Sequence, residues 1–272
     1  MRANVAWDVR RWDEIASTNS LAADMAREGA PEGLVVVADH QTAGRGRLGR
    51  TWQAPPGSSL LVSILLRPGA RVAPARAHLL TAAVGLAAVD ACREVAGVAT
   101  GLKWPNDVIG WRGPKPASGS AGSGSAKVGS AGSGSAKVGG ILAESTLGGE
   151  ALNAVVVGLG LNVNWPDQLP ADLQGQATAL NHLAGVAVDR EALLVALLAS
   201  LDAWYARLPE IVAAYRQRCV TLGQTVSVDL GDEVLTGRAE DLSDEGFLGV
   251  RASDGDLRWI AVGDVTHVRP AE

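Results

Sequence analysis

The sequence has few of the residues that would build a metal centre or a disulfide framework. It has only two cysteines, Cys92 and Cys219, and they lie far apart and outside any C-x-x-C arrangement. Its four histidines lack the spacing of a zinc motif. Isolated cysteines are typical of a reducing compartment. No protein-held metal is therefore expected.

Basic charge and long apolar runs are also scarce. The formal net charge is −5, which argues against a general nucleic-acid binder, so any basic cluster must be judged locally. The longest apolar run, residues 79–89, is interrupted by Thr81 and is too short to cross a bilayer. The first eight residues lack the apolar stretch of a signal peptide. We therefore expect a soluble, cytoplasmic protein with no membrane partner.

The spacing of apolar residues predicts strands and helices up to about residue 219 and short strands after it. Helices are expected after the caps Ser17 and Asp189 and over residues 74–95. Buried strands are expected at residues 34–38, 59–66, 102–104, 140–143 and 154–157. Beyond Cys219, short strands separated by Gly/Asp turn clusters predict a small β-barrel. We expect two domains, residues 1–219 and 220–272.

One segment does not have the composition of a packed domain. Residues 120–129, SAGSGSAKVG, recur unchanged as residues 130–139 in a Gly/Ser/Ala stretch that has nothing to bury. We expect a flexible insert over about residues 113–136. The repeat places Lys127 and Lys137 in the same local sequence, but only Lys137 is followed by an apolar run that would fix it on a sheet.

The segment from Gln41 to Trp52 combines three arginines with three glycines directly after a predicted strand. Glycine lets the backbone approach a ligand, and the arginine fork fits carboxylate and phosphate groups. Such a loop could hold a carboxylate against a nucleotide phosphate, two anions that repel each other in water. A solvated basic loop or an RNA-gripping stretch is the alternative, because short Arg/Gly runs are weak motifs.

Three more segments place polar residues beside predicted strands. K-W-P-N-D, residues 103–107, ends a strand, where α/β sheets tend to bind ligands, although an Asn-Asp turn there is also common. K-V-G-G-I-L-A-E begins at residue 137 and enters a strand. G-L-G-L-N-V-N begins at residue 158, and it lacks the third glycine and the helix of a dinucleotide fingerprint. Each segment alone is more typical of structure than of a site.

Together, and in this order, the segments resemble the biotin–protein ligase family. The matching motifs are S-T-N, Q-T-x-G-R-G-R-x-G-R-x-W, K-W-P-N-D, K-x-x-G-I-L-x-E and G-x-G-x-N, from Ser17 to Asn164. The resemblance implies an α+β fold with a mixed central sheet and helices, related to class II aminoacyl-tRNA synthetases, followed by an SH3-like barrel. Because Ser17 lies near the start, it also implies the short form without a DNA-binding domain, so we expect no DNA partner.

The resemblance implies an ATP-dependent, AMP-forming ligase. Biotin and ATP give biotinyl-5′-AMP and pyrophosphate, with Mg²⁺ screening the polyphosphate, and a lysine of a biotin carboxyl carrier domain then takes the biotinyl group. A lipoate or octanoate–protein ligase of the same fold is the nearest alternative. A nucleic-acid-binding module using the loop arginines is an alternative of another class, and its binding would weaken steeply with salt.

The resemblance also assigns the site residues. Arg47 should neutralise the carboxylate and the α-phosphate, Lys137 should sit between them, and Asp107 should position or deprotonate the acceptor lysine. The other residues expected to bind biotin or ATP are Ser17, Thr18, Asn19, Gln41, Gly44, Arg45, Trp52, Lys103, Asn106, Gly140 and Asn162.

Overall fold

The computed structural model describes residues 5–111, 134–148, 151–170, 173–261 and 264–267. Most of the predicted insert, including Lys127, lies outside these residues. The two last positions of the predicted insert, Ser135 and Ala136, already belong to a strand.

The N-terminal part of the chain is built on one mixed sheet. Its strands are β1 Asp8–Ile15, β2 Leu34–Gln41, β3 Ser59–Leu66, β4 Thr100–Lys103, β5 Asp107–Trp111, β6 Ser135–Gly148 and β7 Ala151–Asn162. They lie in the order β1-β2-β3-β7-β6-β5-β4. β1 pairs with β2 in parallel, and the other neighbours are antiparallel. The predicted mixed central sheet is confirmed.

Helices cover both faces of this sheet. They are α1 Thr18–Arg27, α2 His78–Ala96, α3 Leu180–Ala184, α4 Arg190–Ala206 and α5 Ile211–Arg218. Successive strand residues point to opposite faces. On β2, Leu34 and Val36 accordingly pack with α1, whereas Val35 joins the larger core that includes α2 and α4. The caps predicted from sequence are present at Ser17 and Asp189, whose side chains accept backbone N–H groups of α1 and α4.

Within the described residues, no single helix is long and apolar enough to cross a membrane. The pair Arg190–Ala206 and Leu208–Arg218, bent by 93°, meets that length and composition test only when its two parts are taken together.

A second, antiparallel sheet follows near the C-terminus. Its strands are β8 Thr225–Asp229, β9 Val234–Leu242, β10 Leu248–Ala252, β11 Leu257–Ile260 and β12 Asp264–His267, in the order β11-β10-β9-β8-β12. The predicted small β-unit is present, but the expected barrel needs correction. The described strands form an open sheet, because β11 and β12 have four residues each and pair only inward.

The turn between β4 and β5 connects the two sheets. β4 ends at Lys103, before Trp104–Pro105, whose peptide bond is cis. The Trp104 backbone N–H donates to Thr221 Oγ1 at 3.0 Å, and its indole N–H donates to Gly246 O at 3.1 Å. The turn is therefore held from the C-terminal side while it presents Asn106 and Asp107 towards β6.

Candidate active site

Most of the predicted site residues line one pocket of about 140 Å³ between α1, the segment 41–52, which we call the Gly/Arg loop, and the β6–β7 hairpin. Those that line it are Ser17, Thr18, Asn19, Gln41, Arg45, Arg47, Trp52, Asn106, Asp107, Lys137 and Gly140. Residues as far apart in sequence as Ser17 and Gly160 thus meet, because β6 and β7 place their glycines beside α1. We call this pocket the anion site, after the cations that line it.

Three predicted residues do not line the anion site. Gly44 forms the base of the Gly/Arg loop, where its carbonyl accepts from Trp52 N at 2.9 Å and an added Cβ would lie 2.4 Å from Trp52 O. Lys103 ends β4 beside Asp107 in the strand register. Asn162 is buried, and its side-chain amide donates to Thr178 O at 3.0 Å. These positions support the pocket from outside it.

Lys137 is held at one end of the anion site by an ion pair. Its Nζ lies 2.7 Å from Asp107 Oδ1 and 5.6 Å from the centroid of a Trp52 ring. The ring packs over Gly160, where an added Cβ would lie 2.5 Å from Trp52 Cε2. Glycine at position 160 therefore makes room for the indole, which in turn covers the lysine.

Arg47 is tied to the sheet through Asn106. Its Nη1 donates to Asn106 Oδ1 at 3.0 Å, while Asn106 Nδ2 donates to Ile141 O at 2.9 Å. The backbone N–H of Ile141 donates in turn to Asn106 O at 2.8 Å. Asn106 is thereby fixed against the edge of β6, and it positions the arginine. A second, largely apolar cavity of about 320 Å³ lies beyond this pair, towards α2, α5 and the C-terminal sheet.

The other end of the anion site is a buried chain of polar side chains. Gln41 Oε1 accepts from Thr18 N at 2.8 Å and lies 3.1 Å from Thr18 Oγ1. Ser63 Oγ lies 2.8 Å from Thr18 Oγ1 and 2.6 Å from Asn19 Oδ1. Thr18 and Ser63 supply only two hydroxyl hydrogens for these three oxygen–oxygen contacts, so one contact has no hydrogen between its oxygens. This end of the anion site therefore retains lone pairs that can accept further hydrogen bonds.

Two polar residues at this pocket were missed from the sequence. Glu144 accepts from Arg45 and Asn19, and Ser63 joins Thr18 to Asn19. Glu144 ends the matched K-x-x-G-I-L-x-E motif, and Ser63 is the one polar residue inside the apolar run from Leu60 to Leu66 of β3, a strand in which all eight residues are buried. Either feature could have indicated a role, because a fully buried hydroxyl needs a partner.

Five buried side-chain polar atoms have no hydrogen-bond partner among the described residues, and two of them belong to predicted site residues: Trp52 Nε1, a donor, and Asn162 Oδ1, an acceptor. The other three are Thr100 Oγ1, Thr178 Oγ1 and Arg218 Nη1. Unpaired buried polar atoms are uncommon in folded proteins, and each needs an explanation such as water, strain or a ligand. Nearby, burial raises the pKa of Tyr215 well above its ordinary value, and the charges of Cys219 and Asp107 act in the same direction. Tyr215 therefore stays neutral and donates to Pro105 O at 3.4 Å, within the turn that carries Asp107.

Comparison with known families gives two matches. The biotin/lipoate A/B protein ligase family matches residues 13–162, more than half of the chain, and the biotin protein ligase C terminal domain matches residues 221–268. Together they cover the segments that carry the anion site and the C-terminal sheet.

Individual relatives agree with these families. A biotin–[acetyl-CoA-carboxylase] ligase from Mycobacterium tuberculosis is 37% identical over 96% of this chain and 90% of its own length. A bifunctional ligase/repressor from Bacillus subtilis is 30% identical over 89% of this chain and 69% of its own length. The structure of a biotin protein ligase from Aquifex aeolicus in complex with biotin and ATP matches with a TM-score of 0.73 at 26% identity, over 96% of this chain and 99% of that one. The chain belongs to the biotin–protein ligase family.

Proposed function

We propose that this protein activates biotin with ATP to form biotinyl-5′-AMP and then transfers the biotinyl group to a lysine of a biotin carboxyl carrier domain of a carboxylase. The observation that carries the proposal is the anion site, where Arg47 and Lys137 meet a polar chain built on Thr18 and Gln41. One end suits two anions that must be held together, and the other suits a polar ring.

The cationic end supports the adenylation step. Biotin carboxylate and the α-phosphate of ATP repel each other, and the attack of one on the other builds negative charge at the phosphorus. Arg47 and Lys137 are held in place beforehand by Asn106 and Asp107, so little reorganisation is needed when that charge develops. Pyrophosphate leaves as the mixed anhydride forms.

The polar end supports biotin over lipoate or octanoate. Gln41 Oε1 accepts from Thr18 N, and Gln41 Nε2 has no partner among the described residues, so this nitrogen remains available as a hydrogen-bond donor. Thr18 Oγ1 retains a lone pair, because a hydroxyl oxygen has two and Ser63 Oγ supplies at most one hydrogen to it. A cyclic urea has a carbonyl and N–H groups side by side that match such a donor and acceptor. A dithiolane or a hydrocarbon chain would leave both unpaired, and that is strongly unfavourable in a buried site.

The unpaired indole N–H of Trp52 supports a nucleotide ligand. Trp52 lines the anion site, its Nε1 is a donor without a partner in the described residues, and the edge of a purine carries acceptors. We assign adenine binding to Trp52, in addition to its role in covering Lys137.

Asp107 is proposed to act in the second step. In this structure its carboxylate is paired with Lys137. Once the adenylate phosphate attracts Lys137, Asp107 can accept a hydrogen bond from the acceptor lysine and take a proton from its ammonium group. The amine then attacks the mixed anhydride and AMP leaves.

Mg²⁺ is proposed to arrive with ATP. No group of three or more His, Cys, Asp or Glu side chains that could hold a metal lies in the described parts of the chain, so a protein cage for the ion is not built from those residues. Mg²⁺ commonly keeps several waters and binds through substrate phosphates, which fits this arrangement.

The rest of the proposal concerns organisation and location. We propose a catalytic domain of residues 1–219 and a C-terminal domain of residues 220–272, supported by the match of the C-terminal family to residues 221–268. A cytoplasmic location is supported by two free cysteines, Cys92 and Cys219, which suit a reducing compartment.

The decisive experiment is incubation with ATP, Mg²⁺ and biotin, followed by mass spectrometry of the retained ligand. We expect biotinyl-5′-AMP with biotin and no corresponding adenylate with lipoate or octanoate, and we expect transfer to a carrier domain. Formation of a lipoyl or octanoyl adenylate in preference to biotinyl-5′-AMP would replace this proposal with the lipoate–protein ligase alternative.

A further inference from the structure

Glu144 links the two ends of the anion site. It lies on β6, and a single carboxylate oxygen, Oε2, accepts from Arg45 Nη2 at 2.8 Å and from Asn19 Nδ2 at 2.9 Å. Its side chain is 36% exposed and lines a more open cavity beside the anion site, against the Gly/Arg loop. None of the functions assigned above to Arg47, Lys137 or Asp107 uses this carboxylate.

The Asn19 side of the contact is fixed. Asn19 is buried, its Nδ2 also donates to Leu142 O at 3.2 Å, and its Oδ1 accepts from Ser63 Oγ at 2.6 Å. Gly158 packs against it so closely that an added Cβ would lie 2.1 Å from Asn19 Oδ1. Glu144 is therefore anchored to a rigid part of the pocket.

The Arg45 side belongs to the Gly/Arg loop. Within the loop, Arg45 forms a bridge with Thr51, and Gly46 N donates to Arg50 O at 2.7 Å. The tip of the loop is Leu48, which is 73% exposed. Its backbone φ is 55°, which is uncommon for a residue other than glycine. The Arg45–Glu144 ion pair is thus one of the contacts that connect the loop to the sheet.

We propose that Glu144 is a positioning residue that occupies Arg45 in the ligand-free site, as a stand-in for the negatively charged group of the substrate. The inference rests on the proposed function. A carboxylate oxygen already pairs with Arg45 Nη2, so an incoming carboxylate or phosphate must exchange with Glu144 to pair with that nitrogen. Asn19, which shares the same oxygen, keeps Glu144 in place after the exchange.

The consequence is a specific pattern of affinities. Replacing Glu144 by an uncharged isostere removes the competitor for Arg45 and leaves an oxygen acceptor for Asn19. Anionic ligands should therefore bind more tightly, and neutral ligands should not. A purely structural contribution of Glu144 would change both classes alike.

The test compares Glu144→Gln with the unchanged protein by calorimetric titration of three ligands: biotin, its neutral methyl ester, and the phosphodiester of AMP with biotinol. We expect roughly two- to five-fold tighter binding of the two anions, the effect of a half-exposed ion pair, and an unchanged affinity for the ester. Glu144→Asp, which restores the charge, should return the ratio of acid to ester affinity towards that of the unchanged protein.

Glu240→Gln is the matched control. Glu240 pairs with Arg251 at 2.8 Å on the C-terminal sheet, away from the anion site, and its loss should alter none of the three affinities. An equal change for acid and ester in Glu144→Gln, or no change in any, overturns the inference while biotin binding by the unchanged protein leaves the proposed function standing. If the unchanged protein does not bind biotin, the proposed function fails and this inference fails with it.

Discussion

Replacing Lys137 by alanine should abolish adenylation without unfolding the protein. Lys137 Nζ lies 2.7 Å from Asp107 Oδ1, with side chains 36% and 22% exposed. A partly solvated pair of this kind contributes roughly 1 kcal/mol or less to stability, so the melting temperature should fall by about 4 °C at most. Removing a group aimed at the charge of a transition state typically costs about 10²- to 10³-fold in kcat, about 2.7–4 kcal/mol. The catalytic effect therefore exceeds the effect on stability.

The assay is biotin-dependent exchange of labelled pyrophosphate into ATP. The chain provides its own control, because Lys127 has the same flanking sequence in the first copy of the ten-residue repeat. Lys127→Ala should stay within about twofold of the unchanged protein, since no apolar strand sequence follows it. Equal losses in the two variants, or full exchange by Lys137→Ala, would refute the assignment of the active lysine.

Three further predictions follow from individual contacts. Gly158→Ala should raise the KM for biotin roughly tenfold or more with a small change in the KM for ATP, because the new Cβ would lie 2.1 Å from Asn19 Oδ1; steady-state kinetics against each substrate checks this, and equal changes would contradict it. Asp107→Asn should form biotinyl-5′-AMP yet transfer it to a carrier domain about 10²- to 10⁴-fold more slowly in single-turnover assays, whereas unimpaired transfer would exclude its role as a base. Burial raises the pKa of the Cys92 thiol from 9.0 to about 12, so folded protein should resist iodoacetamide at Cys92 at pH 8.5. The Cys92 thiol ionises at lower pH in the unfolded protein than in the folded one, so its contribution to the free energy of unfolding is full below pH 9 and is lost as the pH rises towards 12. Urea unfolding at pH 8 and 10.5 measures this loss. Rapid labelling of Cys92 in the native protein would contradict its burial.

The strands and helices that depend mainly on neighbouring residues were predicted from the sequence. Residues 59–66 form β3 with the predicted bounds, because eight buried positions in a row suit a central strand. Asp189 caps α4 as expected, with its carboxylate accepting from Glu191 N and Ala192 N. Lys103 ends β4 before Pro105, which cannot donate to a strand ladder.

Elements that depend on tertiary partners were missed or shortened. β1, Asp8–Ile15, has an exposed and charged pattern because it is an edge strand, and it forms only by pairing with β2. The strand expected at residues 154–157 extends to Asn162. Gly158 and Gly160, expected to follow the strand, lie within it, because their missing side chains admit Asn19 and Trp52. The open C-terminal sheet likewise reflects which strands pair, and turn spacing does not determine that.

The candidate active site shows the same contrast between features that local sequence determines and features that depend on tertiary packing. The ordered motifs identified eleven of the residues that line the anion site, whereas the hydrogen-bond and ion-pair partners of those residues were not visible in the sequence. Arg45 and Glu144 are separated by 99 positions, and the ion pair between them arises only when the Gly/Arg loop lies over β6. A motif predicts the type of chemistry, but the contacts that hold each charge come from the packing of distant segments.

The central claim is that Arg47 and Lys137 hold the biotin carboxylate and the α-phosphate together. A crystal structure of the protein with bound biotinyl-5′-AMP tests it most directly. The account predicts that Arg47 and Lys137 both lie within hydrogen-bond distance, about 2.7–3.2 Å, of oxygens at the acyl–phosphate junction. A structure in which both side chains are turned away from that junction would contradict it.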